Sequence, residues 1–413
     1  MTQSLLVSQI LFPFPPQLNI LSGYLLKNGN ELRVVGGAVR DFLTNKAITD
    51  FDLACQYLPS QTSALLSQHH IKIIDSGIKY GTITAIVDGV QFQITTLRKD
   101  IKNFGRDCEV EFVDDFYADA QRRDFTINAL SVDFAGQIYD YFGGVDDLKN
   151  KIVKFIGDAN ERISEDYLRI LRFFRFSCNY AKDVDLSGLH ACIKYKSHLN
   201  DLSFERIRDE FFKILRCESR ENLLSILQIM QDVGILDLIF HCSNTKRIDA
   251  LKNLFYLEKI LQKPFDILMI FAVINSGDNF QFNLSNTEKK YFETVTKALP
   301  MLDFKISEKN LLRLLLEFTK RTLIDIFTIQ LVLSNNFKNS IDDFLQISKI
   351  IVTSKITDFP IDGNDLIELK IAPKNIGKVL KIAKEYWWEN DFLVNKKELC
   401  FFVKNDTRSK QIQ

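Results

Sequence analysis

Two textures divide the chain. Up to about residue 135, short runs of β-branched and apolar residues alternate with turn formers: Leu32 to Val35, Ile71 to Ile74, Thr82 to Val87, Val90 to Leu97 and Val110 to Val113. Brief apolar runs punctuated in this way predict strands. After Gly157 the apolar residues recur at helical spacing, as in Ile163, Tyr167, Ile170 and Phe174, and long Leu/Ile/Phe-rich stretches with few glycines follow. That period places them on one face of a helix. The pattern predicts an α+β head over residues 1–142, a helical segment over 143–220 and a helical body and tail over 221–413.

Composition sharpens this picture by exclusion. A chain of 413 residues accommodates two to three domains, and 46% hydrophobic with 26% charged residues excludes wholesale disorder and a coiled-coil rod. Lysine plus arginine equals aspartate plus glutamate, 53 each, so no global positive field recruits nucleic acid and any such contact must come from local patches. The stretch Lys370 to Lys410 is richer in basic than acidic residues and suits either a phosphate-contacting surface or a solvated lysine face. The seven cysteines are scattered without a C-x-x-C pair, which predicts reduced, mostly buried thiols; Cys242 follows His241 but has no further ligands near it for zinc. The first basic residue is Lys27, and the densest apolar run, Phe265 to Ile274, falls well short of the roughly 20 residues that span a bilayer. A cytoplasmic protein without membrane contact is the expectation.

Four constellations carry candidate chemistry. In Leu32-Arg33-Val34-Val35-Gly36-Gly37-Ala38-Val39-Arg40-Asp41 a strand enters two glycines and then a helix, where phosphate can approach backbone N–H groups and Arg40 adds a charge-assisted fork. The plain alternative is a tight turn with an Arg40–Asp41 salt bridge. In Asp50-Phe51-Asp52 the two carboxylates would share one face of a strand, with Phe51 and Leu53 toward the core. A divalent cation such as Mg²⁺ relieves their repulsion and serves phosphoryl or nucleotidyl transfer, whereas a lone D-x-D is more often an exposed turn.

The third, Arg122-Arg123-Asp124 with Asn128, follows the acidic residues Asp114, Asp115 and Asp119 and offers groups for phosphate and ribose, or a helix-surface ion-pair cluster. In the fourth, Ser164 to Phe176, Asp166 and Arg169 are three apart and predicted to be neighbours on one helix, where a carboxylate and a guanidinium together present acceptors and donors to a base edge. Arg172 and Arg175 continue in steps of three and wind away from that pair. An ordinary ion-pair ladder would have the same spacing.

Order and joint presence lift these motifs above their separate readings. Gly36-Gly37-Ala38-Val39-Arg40-Asp41, Asp50-Phe51-Asp52, Arg122-Arg123-Asp124-Phe125-Thr126-Ile127-Asn128-Ala129, Tyr141-Phe142-Gly143-Gly144-Val145-Asp146-Asp147-Leu148, Glu165-Asp166-Tyr167-Leu168-Arg169 and Ser203-Phe204-Glu205-Arg206 resemble, in sequence order, the successive motifs of the class II tRNA nucleotidyltransferase and bacterial poly(A) polymerase family. The resemblance covers roughly residues 30–215, with a softer likeness from Gly363 through Asn375-Ile376-Gly377 to Trp387-Trp388.

The resemblance implies a polymerase-β-like nucleotidyltransferase head followed by an all-α neck, body and tail. By position, Asp50 and Asp52 would bind catalytic Mg²⁺, while Gly36, Gly37 and Arg40 would contact the triphosphate. Arg122, Arg123, Asp124 and Asn128 would hold the ribose and phosphates. Asp166 and Arg169 would read the Watson–Crick edge of CTP or ATP, Arg172 and Arg175 would support the nucleotide, and Glu205-Arg206 would brace the neck helices. The implied reaction is two-metal-ion attack of the tRNA 3′-hydroxyl on the α-phosphate with loss of pyrophosphate. The five histidines include no adjacent His-Asp pair, so the phosphohydrolase domain of some relatives is not expected.

Two details modulate the expectation. Many relatives carry an acid in the strand Val90 to Leu97, where this chain has Gln93, which puts a third metal-binding carboxylate in question. The polar segment between Leu97 and Arg122, with Lys99, Asp100, Gly105, Arg106 and Asp107, looks like the family's flexible loop and leans toward complete CCA synthesis. Addition of CCA to tRNA is the leading expectation; poly(A) synthesis and CC-only or A-only addition remain open, because the motifs are shared.

Overall fold

The computed structural model describes residues 5–27, 29–104, 107–241, 247–275, 284–299, 302–354 and 359–405. The chain divides into two compact units, one running through Ile248 and one holding most of the residues beyond it.

The first unit begins with a mixed sheet. Its strands are β1 (Leu5–Gln9), β2 (Leu32–Val35), β3 (Asp52–Cys55), β4 (Lys72–Gly77), β5 (Thr82–Val87), β6 (Val90–Thr96), β9 (Ser131–Asp133) and β10 (Gln137–Asp140), in the spatial order β1-β10-β9-β2-β3-β6-β5-β4. All neighbours are antiparallel except β3 and β6, which run parallel with Asp52 opposite Gln93. β5 shows why alternation fixes a strand's face: Ile83, Ala85 and Val87 are buried and the residues between them are not. Asp88 and Gly89, both at positive φ (48° and 80°), close the β5–β6 hairpin, the backbone that a two-residue hairpin turn demands.

The polar segment after Leu97, expected as a loop, is instead a two-stranded ribbon of β7 (Arg98–Phe104) and β8 (Asp107–Phe112). Lys99 opposite Glu111 makes a 2.8 Å ion pair across it. Polarity hid β7, whose residues show no apolar alternation, whereas the end of β8 coincides with the strand expected from Val110. Gly105 and Arg106 lie outside the described residues, as does the side chain of Asp107.

Helices α1 (Pro16–Leu25), α2 (Gly37–Leu43), α3 (Pro59–Gln68) and α4 (Phe116–Gln121) accompany the sheet. From Gly144 the first unit is helical: α5 (Gly144–Lys149), α6 (Ala159–Glu165), α7 (Arg169–Tyr180), α8 (Leu186–Tyr195), α9 (Phe204–Leu215), α10 (Arg220–Asp232) and α11 (Ile235–Phe240). In α7 the buried residues Ile170, Phe173, Phe174 and Ser177 form the inward stripe, which leaves Arg169, Arg172 and Arg175 on the other side. α9 starts at Ser203, whose hydroxyl accepts from the Arg206 N–H in an N-cap.

The second unit is all-helical among its described residues, from within Arg247–Leu261 to Lys396–Asn405. Its C-terminal part packs Leu366, Val379, Ala383, Trp387, Leu399 and Val403 into a local core. An α+β head followed by helices is thus the observed fold class. Cys55, Cys178, Cys192, Cys217 and Cys400 are free thiols, the first four buried, while Cys242 and the side chain of Cys108 lie outside the described residues. Among the described residues no helix is long and apolar enough to cross a membrane.

Candidate active site

The glycine turn is built by conformational need. Gly36, between β2 and α2, has φ 70° and ψ −118°, a region that residues with a side chain avoid. A Cβ there would also stand 3.0 Å from Arg123 Nη1. Val35, just before it, pairs with Asp52 across the β2–β3 ladder, so the turn and that carboxylate are neighbours by register. Arg40, one turn into α2, is buried; its Nη1 donates to Asn128 Oδ1 at 2.5 Å and its Nε to Asp41 Oδ1 at 3.0 Å. Asp41 Oδ1 also accepts from the Tyr180 hydroxyl at 2.6 Å. Burial pushes the Tyr180 phenol up to about 12, with Arg40 opposing and Asp41 adding to the rise.

Asp50 and Asp52 do not share a strand. β3 begins at Asp52, and Asp50 lies in the segment leading into it, accepting from Thr49 Oγ1 at 3.1 Å. Phe51 is half-buried, edge-on to Phe12 at 6.4 Å, rather than fully in the core as expected. Both carboxylates are nonetheless exposed. The surrounding protein raises the Asp52 pKa; Arg123 pulls it down and Asp50 pushes it further up. Two exposed hard-oxygen donors, one of which raises the cost of ionising the other, fit a hard divalent cation such as Mg²⁺. Gln93 stands beside Asp52 in β6, and among the described residues no group of three or more His, Cys, Asp or Glu side chains is placed to hold a metal.

Arg122, Arg123 and Asp124 follow α4 rather than extending a helix, since α4 ends at Gln121. Asp119 in α4 is buried and organises both arginines, accepting from Arg122 Nε at 2.9 Å and Arg123 Nη2 at 3.0 Å. Burial alone would raise its pKa, but the two guanidinium groups outweigh this and hold the carboxyl below its usual value. Asp124 is also buried; Oδ1 accepts from Asn128 Nδ2 at 2.9 Å and Oδ2 from Arg172 Nε at 2.7 Å. Against the burial penalty, Arg172, Asn128 and Arg169 keep it ionised below the usual range. A continuous chain of polar contacts therefore runs Arg40, Asn128, Asp124, Arg172.

The predicted base-reading pair straddles a break. α6 ends at Glu165, α7 begins at Arg169, and Asp166 between them is extended (φ −155°, ψ 108°). The apolar period runs through Ile163, Tyr167 and Ile170 without interruption, which is why the sequence suggests one helix. Asp166 is held by Arg206 Nη2 at 2.8 and 3.0 Å, so Arg206, expected only to brace the neck, lies in the site itself. Arg169 pairs with Glu165 and donates to the carbonyl oxygens of Arg162 (2.8 Å) and Arg122 (3.3 Å). Arg175 Nε meets Glu210 Oε1 at 2.9 Å; burial lowers this guanidinium to about 10 and Glu210 resists the drop. The buried Phe176 ring lies 4.3 Å from Arg175, 5.1 Å from Arg40 and 5.3 Å from Arg172, an aromatic face around which three cations fan.

All of the sequence-predicted site residues, Gly36, Gly37, Arg40, Asp50, Asp52, Arg122, Arg123, Asp124, Asn128, Asp166, Arg169, Arg172 and Arg175, line one cavity of about 900 Å³. Asp100, Tyr180, Arg206 and Lys213 line it as well. Their partners are distant in sequence, and only the fold brings them together. Basic side chains outnumber carboxylates in the lining, so the cavity favours a polyanion next to a carboxylate pair. The one His–Asp pairing seen among the described residues, His198 Nδ1 to Asp201 Oδ2 at 2.8 Å, is exposed and outside this cavity.

Comparison with known proteins shows the family. Residues 32–154 match the poly A polymerase head domain. The mitochondrial CCA tRNA nucleotidyltransferase 1 of Mus musculus is 32% identical over 95% of this chain and 90% of its own length. The CCA-adding enzyme of Staphylococcus saprophyticus is 28% identical over 84% of this chain and 86% of its own. Among solved structures, the CCA-adding enzyme of Bacillus stearothermophilus in complex with CTP superposes with a TM-score of 0.72 at 21% identity, covering 96% of this chain and 99% of that one. The Thermotoga maritima CCA-adding enzyme complexed with tRNA gives 0.66 at 20% identity, covering 95% and 96%. With its polymerase-β-like head joined to helical units along nearly the whole length of such relatives, the chain belongs to the CCA tRNA nucleotidyltransferase family.

Proposed function

We propose that this chain adds C, C and A to the 3′ end of tRNA from CTP and ATP, with the cavity between β3, α2 and α7 as the nucleotide site. The observation that carries the reading is the convergence of the glycine turn, the Asp50/Asp52 carboxylates and the α7 arginine row on one cavity.

The roles follow from position. The Gly36-Gly37 turn exposes backbone N–H groups to the triphosphate, and Arg40, Arg122 and Arg123 bind its charge. Asp124 and Asn128 keep Arg172 and Arg40 in place beside the sugar and phosphates. Asp166 accepts from the exocyclic amino group of cytosine or adenine while Arg169 donates to the adjacent ring acceptor. Uracil and guanine present a carbonyl oxygen where Asp166 offers a carboxylate, so they are rejected by repulsion between acceptors. Asp50 and Asp52 would hold Mg²⁺, which when bound supplies Lewis-acid activation of the attacking hydroxyl and charge neutralisation for the departing pyrophosphate. Selection is thus made by protein side chains, with no nucleic-acid template required.

The β7–β8 ribbon, where the family's loop was expected, contributes Asp100 to the cavity lining and supports complete CCA synthesis over CC-only addition. The test is extension, resolved to single nucleotides, of tRNA transcripts ending before CCA, after C and after CC. Completion of CCA followed by arrest is expected. Long A tails would make the chain a poly(A) polymerase, arrest after CC or activity only on the CC-ended RNA would make it a partial adder, and no extension would leave an RNA-binding module.

A further inference from the structure

Helix α9 turns one face toward the cavity: Arg206, Glu210 and Lys213 lie four and three residues apart, on the same side of the helix. Each of the first two grips a group from the base-reading region. Glu210 takes Arg175. Arg206 takes Asp166, its Nη2 standing 3.0 Å from Oδ1 and 2.8 Å from Oδ2.

Asp166 needs such a grip. It belongs to neither α6 nor α7, so no helical rotamer fixes its side chain. Its acceptors can be counted. A carboxylate offers about four lone-pair directions, two on each oxygen. Oδ1 accepts from the Leu168 N–H at 3.1 Å and from Arg206 Nη2, which fills it. Oδ2 accepts from Arg206 Nη2 alone and keeps one direction unused.

We infer that Arg206 is a positioning residue for base selection, which orients the Asp166 carboxylate so that a single acceptor, Oδ2, is left for the amino group of the incoming nucleobase. The inference rests on the base-reading role proposed above for Asp166. A carboxylate with one remaining lone pair in a fixed direction distinguishes an N–H from a carbonyl; a freely rotating one with several does so poorly. Glu210 provides the internal contrast, since on the same helix it anchors Arg175 and not Asp166.

The experiment measures kcat/KM for CTP against UTP on tRNA lacking CCA, and for ATP against GTP on CC-ended tRNA, in Arg206→Ala, Arg206→Lys, Asp166→Ala and the Asp166→Ala/Arg206→Ala double variant. Arg206→Ala is expected to lower both ratios about tenfold or more, with unchanged KM for tRNA. Arg206→Lys, which keeps the charge without the planar fork, should restore part of each ratio, and the double variant should be no less selective than Asp166→Ala alone. A uniform fall for all four nucleotides, or multiplicative effects in the double variant, would overturn the inference while leaving Asp166 as the reader. Unchanged ratios in Asp166→Ala would instead overturn the base-reading role and the inference with it. If Arg206→Ala does not fold, the ratios of Arg206→Lys decide alone: unaltered selectivity contradicts the inference.

Discussion

Arg172 and Asp124, 48 residues apart, are joined at 2.7 Å across the helix α7 and the segment that follows α4. Asp124 is buried and Arg172 partly so, which makes this contact a tie between the sheet-bearing head and the arginine row. Removing one partner from such a pair leaves an uncompensated charge, so Asp124→Ala should cost about 3 kcal/mol in urea unfolding and raise the KM for both nucleotides. A double-mutant cycle with Arg172→Ala should show coupling, and additive effects would mean that the contact is not made.

Asp119 gives the pH dependence. Its carboxyl is held below the usual value in the folded protein, so it contributes stability that is fully present above the unfolded pKa and lost as pH falls through the folded one. Asp119→Asn should therefore be less stable than the parent at pH 7 by about 2–4 kcal/mol, with the gap closing below about pH 4. A gap of constant size down to pH 3 would show that the charge of Asp119 is not what matters.

Gly36→Ala should disturb chemistry more than folding. The added Cβ meets Arg123 Nη1 at 3.0 Å and forces a backbone conformation that costs on the order of 1–3 kcal/mol. Displacement of Arg123, whose charge acts on Asp52, should lower turnover with both CTP and ATP while a melting experiment shows a folded protein. Parental kinetics would remove the glycine turn from the site.

Asp50→Asn and Asp52→Asn should each abolish extension yet leave tRNA affinity within about twofold, because the lost groups are anionic and repel the RNA backbone rather than bind it. Retained turnover in either variant, or extension undiminished by a chelator, would count against the metal assignment.

What could be read from the chain and what could not have a common cause. β2 and β5 match the apolar runs residue for residue, because burial on one or both faces writes itself into local composition. The polar strand β7 left no such mark, and of β8 only the end from Val110 did. The break at Asp166 was invisible since both helices bury the same continuous apolar stripe. Motif order located the cavity, but the partners that set its geometry, Arg206 for Asp166, Glu210 for Arg175 and Tyr180 for Asp41, are 35 to 139 residues away. A contact between distant residues has no sequence period, and the fold alone creates it.

The most direct measurement of the central claim, that one protein-built site receives both nucleotides in turn, is calorimetric titration of the full chain with CTP, with ATP, and with each in the presence of the other. Competition for one site per chain is expected, with both affinities reduced in Arg169→Ala and largely kept in Asp52→Asn. Simultaneous binding of CTP and ATP, or binding that Arg169→Ala leaves untouched, would contradict it.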